Sequence, residues 1–185
     1  MTLSIPVGSD DHSHGPATAP VTLLEYGDYE CPYCGAAYPV AKAVIKHFGS
    51  KLRFVFRNMP LSEMHPYAEL AAEAAEAAGA QGKFWEMHDA LYEHQPELGP
   101  KLVQTLAQRL KLDLKRFDDD LVSHRFRDRV KHDFMSGVRS GVAGTPTFFI
   151  NGERYDGSLD ENSLTEIVQR RIDLVGSNSP NRSPR

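Results

Sequence analysis

Cysteine is scarce in this chain. There are two in 185 residues, Cys31 and Cys34, and only two residues separate them. A secreted scaffold stapled by disulfides carries more, spread along its length, so that class is excluded. No apolar run approaches the roughly 20 residues that a membrane-crossing helix needs. A basic surplus is missing too. Lys and Arg total 21 against 25 Asp and Glu, a net charge of −4, which gives nucleic-acid binding no compositional support. The one basic stretch, Arg125, Arg127, Arg129 and Lys131, is interrupted by Asp128 and Asp133. It reads as a solvated helix face, with anion binding as the alternative. The first twenty residues lack a basic start followed by an apolar core, so no signal peptide is read there. The expected location is therefore cytoplasmic, with a removed leader as the open alternative. No internal repeat is visible.

Ordinary globular composition is present: 41% hydrophobic and 25% charged residues, enough to bury one core. Val21 to Tyr26 is β-branched and apolar and reads as a buried strand, closed by the turn-prone Gly27-Asp28. Helical spacing runs from Pro32 to Phe48, with Gly49 as its stop. Leu52 to Arg57 alternates apolar and charged residues as a second strand. Strand, helix, strand is a βαβ unit, with parallel strands and a right-handed crossover.

Helical patterns alone follow, over 67–78, 84–94, 101–110, 114–122 and 125–138. A strand returns at Thr145 to Ile150. Asn151-Gly152 marks a hairpin turn into Glu153 to Tyr155, and an amphipathic helix covers Glu161 to Leu174. The expected organisation is a flexible lead-in over 1–20, an α/β domain over 21–64 and 139–175, an all-helical insertion over 65–138, and a flexible tail over 176–185.

Chemistry concentrates in Cys31-Pro32-Tyr33-Cys34. Disulfide exchange needs one thiolate to attack and a second thiol to resolve the mixed disulfide. At a helix start, unpaired N–H groups and the helix dipole favour a thiolate on Cys31. Cys34 follows one turn later on the same face. Pro32 fits the first turn, where its missing N–H costs nothing. Half of a zinc site is the main alternative, but structural zinc wants four ligands. No second Cys pair exists, and His12 and His14, which could in principle complete a site, lie in a Gly/Pro-rich lead-in that does not fix their position. A structural disulfide closing so short a loop would stabilise little.

In four features the chain resembles the DsbA-like branch of the thioredoxin superfamily. They are Cys31-Pro32-Tyr33-Cys34 directly after a buried strand, Glu25 six residues before Cys31, the helical stretch between the βαβ unit and the next strand, and Gly144-Thr145-Pro146-Thr147 opening that strand. The resemblance runs from about Val21 to Leu174. It implies a thioredoxin-like α/β fold with a helical insertion before the C-terminal hairpin and helix. It also implies a protein disulfide oxidoreductase. Cys31 and Cys34 would be its redox centre, with Pro32 and Tyr33 shaping the surroundings. Glu25 would be a buried acid passing protons to and from Cys34, against the alternative of an edge-strand surface acid. Pro146 would be cis and would place the Thr145 backbone beside Cys31 for a substrate strand to join, against the alternative of a trans proline.

His65 and His88 read as helix-cap and packing residues, and Phe84 and Trp85 as core. Expected partners are protein thiols or disulfides and an unidentified redox partner, with no cofactor, metal, nucleic acid or membrane. The rival functions are a glutathione-linked, glutaredoxin-like reductase, a non-catalytic module that has kept the fold, and a zinc-binding module.

Overall fold

The protein is described by a computed structural model covering residues 1–177. The tail expected over 176–185 lies outside the described residues from 178 onward. The elements in chain order are β1 (His12–His14), β2 (Val21–Gly27), α1 (Pro32–Phe48), β3 (Leu52–Asn58), α2 (Ala68–Gly79), α3 (Phe84–Glu93), α4 (Pro100–Arg109), α5 (Leu114–Val122), α6 (Arg127–Arg139), β4 (Thr147–Ile150), β5 (Glu153–Tyr155) and α7 (Glu161–Ser177).

Among the described residues the strands form one sheet in the order β1-β3-β2-β4-β5. β2 and β3 are parallel, with Glu25 opposite Phe56. β4 returns antiparallel to β2, with Phe148 opposite Glu25. The crossover through α1 is what a parallel pair requires. Asn151 (φ 49) and Gly152 (φ 82) both adopt positive φ, the geometry of the tight hairpin that joins β4 to β5. This is the thioredoxin-like architecture, and helices fill the stretch between β3 and β4.

Alternation along β2 divides the core. Val21 and Leu23 face the larger cluster with Ala37, Val44, Phe56, Met87, Leu91, Leu164 and Val168. Leu24 and Tyr26 face the smaller one with Val55, Val142 and Phe149. Gly27 permits a close approach on the first face: a Cβ there would stand 2.4 Å from Phe56 Cε2 and 2.9 Å from the Tyr92 hydroxyl oxygen. Phe84 is buried in the same cluster and Trp85 packs against it, as residues read for the core should.

The first twenty residues differ from the flexible lead-in that was expected. β1 pairs antiparallel with β3, and Thr2 bridges to Glu153. The physical reason is Arg57. Its guanidinium is buried at 3% side-chain exposure and meets Asp11 at 2.7 Å, the Tyr26 hydroxyl at 3.0 Å, and the Ile5 and Pro6 carbonyls at 3.0 and 3.1 Å. A buried cation must be paired and hydrogen-bonded, and the N-terminal segment supplies the partners. His12 stacks on Phe84 and hydrogen-bonds Glu76 at 2.8 Å. The three arginines of the basic stretch are also paired: Arg125 with Asp120, Arg127 with Glu69, and Arg129 with the Asp10 carbonyl.

Asp11→Ala removes the counter-charge and leaves Arg57 buried. We expect urea unfolding to show a loss of about 3–5 kcal/mol, the usual cost of breaking a buried pair. A loss below about 1 kcal/mol would rank the contact with surface bridges instead.

Candidate active site

Cys31 is the N-cap of α1, at φ −70 and ψ 120, with Pro32 in the first turn. Its N–H donates to the Asp28 carbonyl at 3.2 Å and its carbonyl accepts from the Gly35 N–H at 3.0 Å. No side chain caps the helix, so the first-turn N–H groups remain free to face the sulfur. The Cys31 thiol is pulled down to about 5. A hydrogen bond from the Cys34 side chain acts most strongly, burial opposes it, and Thr145 and the N–H groups of Cys34 and Tyr33 add to it. Cys34 is fully buried. Burial pushes its thiol far above the ordinary range, and Cys31 and Glu25 add to that rise. The two sulfurs are unbridged and stand in opposite electrostatic surroundings one helical turn apart.

Three loops close around this pair. Asp28 donates its N–H to Cys34 Sγ at 3.4 Å. The Thr145–Pro146 peptide bond is cis, and the Cys31 thiol points at the Thr145 carbonyl at 3.4 Å. From the helical stretch, the Gln95 amide donates to the carbonyls of Tyr29 at 2.8 Å and Cys31 at 2.9 Å. Tyr33 is 74% exposed at the rim, as are Met64 at 68% and Tyr67 at 39%.

Glu25 lies on the central strand, 2% exposed, behind Cys34. Its Oε1 has no hydrogen-bond partner, nor does the Tyr92 hydroxyl over neighbouring Gly27. Burial, assisted by the charge on Cys31, lifts the Glu25 carboxyl to about 8. The carboxyl is thus poised to hold or release a proton near neutrality.

His88 is buried against Phe56, Trp85 and Tyr92 and bonded to the Tyr29 hydroxyl at 3.1 Å. Burial holds its pKa at about 3, which fits a packing role. His65 does not cap a helix: the N-cap of α2 is Tyr67, and His65 Nδ1 meets Asp28 Oδ2 at 2.7 Å. Sequence reasoning missed Asp28 and Gln95. Asp28 read as a turn residue, and Gln95 reaches its partners across more than sixty positions, beyond any local pattern. Among the described residues no group of three or more His, Cys, Asp or Glu is arranged to hold a metal ion.

A family model described as Thioredoxin matches residues 8–170. Over 169 residues the chain is 50% identical to "Na(+)/H(+) antiporter NhaA 1" of Salinispora arenicola, a match covering 91% of this chain and 26% of that protein. The chain therefore spans about a quarter of the length of the curated relatives it matches. Among solved structures, oxidised BdbD from Bacillus subtilis is 26% identical at a TM-score of 0.79, covering 87% of this chain and 92% of that one. Alpha-DsbA1 of Wolbachia pipientis, at 18% identity, shares the fold at a TM-score of 0.82 over 95% and 96% of the two chains.

The cytoplasmic location expected from the missing leader is withdrawn. In the relatives the same segment is part of a much longer protein named as an ion antiporter, so the first residues of this chain do not report a compartment. By sequence and by structure alike, the chain belongs to the thioredoxin superfamily and has the fold of its DsbA-like members.

Proposed function

We propose that this chain is a thiol–disulfide oxidoreductase that exchanges disulfides with protein substrates through Cys31 and Cys34. The observation that carries the reading is the placement of the two thiols: Cys31 at the uncapped start of α1, where the Cys34 side chain and N–H groups pull its thiol down to about 5, and Cys34 fully buried one turn on, where burial pushes its thiol up. A thiolate that persists at neutral pH stabilises the reduced couple, so the disulfide form is the one driven to react. The proposed direction is therefore oxidation of substrate dithiols.

A substrate thiolate attacks Cys31 Sγ, the Cys31–Cys34 bond breaks, and Cys34 leaves. Buried Cys34 does not persist as an anion, and Glu25 behind it supplies the proton. The second substrate thiolate then attacks its own sulfur in the mixed disulfide. Cys31 departs as a thiolate, a good leaving group because of its low pKa. The substrate has gained an S–S bond and lost two electrons and two protons. The couple is reset by an unidentified partner that supplies a disulfide. The Thr145 carbonyl beside Cys31 and the exposed rim of Tyr33, Met64 and Tyr67 give an extended peptide a backbone to align with.

Cys31→Ser is expected to abolish oxidation of a dithiol peptide. Cys34→Ser is expected to accumulate mixed disulfides, visible as adducts on non-reducing gels. Full turnover by Cys34→Ser would reverse the assignment of attack and resolution. Alkylation of Cys31 by iodoacetamide should rise about tenfold per pH unit up to about pH 5 and then level off.

Burial lifts the Glu25 carboxyl to about 8 in the fold, against about 4.5 for a solvent-exposed glutamate. Its folded pKa is raised, so the protein takes up a proton on folding. The stability tied to that proton is complete below 4.5 and is lost as pH rises through 8. Glu25→Gln escapes this loss. Its stability relative to the parent should grow by about 1.4 kcal/mol per pH unit across that window, measured by denaturant unfolding at pH 4.5, 6 and 8. A constant difference across the three would place the carboxyl in contact with water.

A further inference from the structure

Asp28 and His65 stand beside the dithiol and take no part in the exchange just described. The Asp28 side chain is wholly buried. Its Oδ1 accepts the Glu30 N–H at 2.8 Å, and its Oδ2 accepts the Leu61 N–H at 2.8 Å and meets His65 Nδ1 at 2.7 Å. Through its backbone, Asp28 holds Cys34 Sγ at the N–H and the Cys31 N–H at the carbonyl. One residue thus joins an imidazole that reaches solvent, at 17% side-chain exposure, through its carboxylate to both cysteines through its backbone.

A buried carboxylate near a thiolate is a like charge, and alone it would raise the proton affinity of the thiol. Two of its three donors are neutral N–H groups. Among the described residues, the third donor, His65, is the one paired group that can bring a cation to cancel the charge.

We propose that His65 is a redox-linked titrating group, whose imidazolium on Asp28 steadies the Cys31 thiolate and binds its proton more tightly when the cysteines are reduced. The inference rests on Cys31 being the attacking thiol. The charged groups that face His65 are Asp28, Cys31 and Glu30. Burial alone would lower its proton affinity, but the hydrogen bond and charge of Asp28, followed by Cys31 and Glu30, carry it above the ordinary value.

Coupling between two sites is reciprocal. If the thiolate holds the His65 proton, the His65 proton holds the thiolate. In the disulfide form the thiolate charge is gone and the imidazolium lets go more readily. When a substrate dithiol reduces the Cys31–Cys34 bond, two electrons enter the couple and two protons leave the substrate. One proton ends on Cys34. Between the two pKa values of His65, the imidazole takes up part of the second and solvent takes the rest.

The test is a pH titration of the His65 ring protons by NMR in the oxidised and the reduced protein. The expected result is a higher pKa in the reduced form by about 0.7 units or more, the lower end of ordinary site-to-site coupling. Thiolate absorbance at 240 nm gives the reciprocal view. His65→Gln should raise the Cys31 pKa by a similar amount, whereas His65→Lys, which keeps a cation, should leave it near the parent value. Equal His65 pKa values in the two redox states would overturn the proposal, as would Gln and Lys variants that shift Cys31 alike. Neither titration needs a substrate. A protein that shows the coupling but fails to oxidise dithiol peptides would refute the proposed function and leave this inference standing. A Cys31 that titrates as an ordinary thiol would overturn both.

Discussion

The first turn of α1 holds N–H groups that no side chain has claimed, and the site depends on their staying unclaimed. Helix starts ordinarily satisfy such groups with Ser, Thr, Asp or Asn at the N-cap. Here the N-cap is Cys31, with no side-chain cap bond, and the N–H groups of Tyr33 and Cys34 face its sulfur. A thiolate is the natural occupant of such a position. The surrounding loops hold the residue in place. Asp28 takes the Cys31 N–H, Gln95 takes its carbonyl, and the cis-proline loop lays the Thr145 carbonyl against the sulfur. The first two contacts use backbone groups that the thiolate does not need, and the third is a bond from the S–H that is given up when the thiol ionises.

Buried charge is treated in two ways in this molecule. On the side of the sheet that faces α6, Arg57 is given a carboxylate, a hydroxyl and two carbonyls, and that demand orders the N-terminal segment. On the opposite side Glu25 is given nothing at Oε1. A carboxyl left unpaired in an apolar setting resolves the conflict by keeping its proton. Strand β2 thus carries a side chain whose proton is held by burial and by the nearby charge on Cys31, next to the thiol that the proposed exchange requires to gain and lose a proton.

The parts of the fold written in short-range pattern were legible. The alternation of β2 and β3, the helical spacing between them, the Asn151-Gly152 turn and the Cys-x-x-Cys at a helix start all lie within one element or its edge. The parts that were not legible depend on partners far along the chain. Asp11 and Arg57 are 46 positions apart, Asp28 and His65 are 37, and Gln95 and Cys31 are 64. The Gly, Ser and Pro content of the first twenty residues resembled a loose end because the residue that orders them sits on β3. One clue was available: an arginine at the close of an apolar strand needs a buried acid from somewhere, and Asp11 is among the few in the preceding segment. The compartment was not legible either, since it is not a property of these residues alone.

The helical stretch between β3 and β4 has a chemical consequence beyond its bulk. A βαβ unit followed directly by a hairpin and helix would contain the strand, the cysteines and the cis-proline loop, but neither His65 nor Gln95. Gln95 fixes the carbonyls on both sides of Glu30, and His65 sets an imidazole on the Asp28 carboxylate. The insertion therefore reaches the dithiol through Asp28, at the point where the proposed charge on His65 acts on the Cys31 thiolate. Because His65 sits on the loop that precedes α2 and not in the motif, the centre can be tuned there while the Cys31-Pro32-Tyr33-Cys34 turn keeps its geometry.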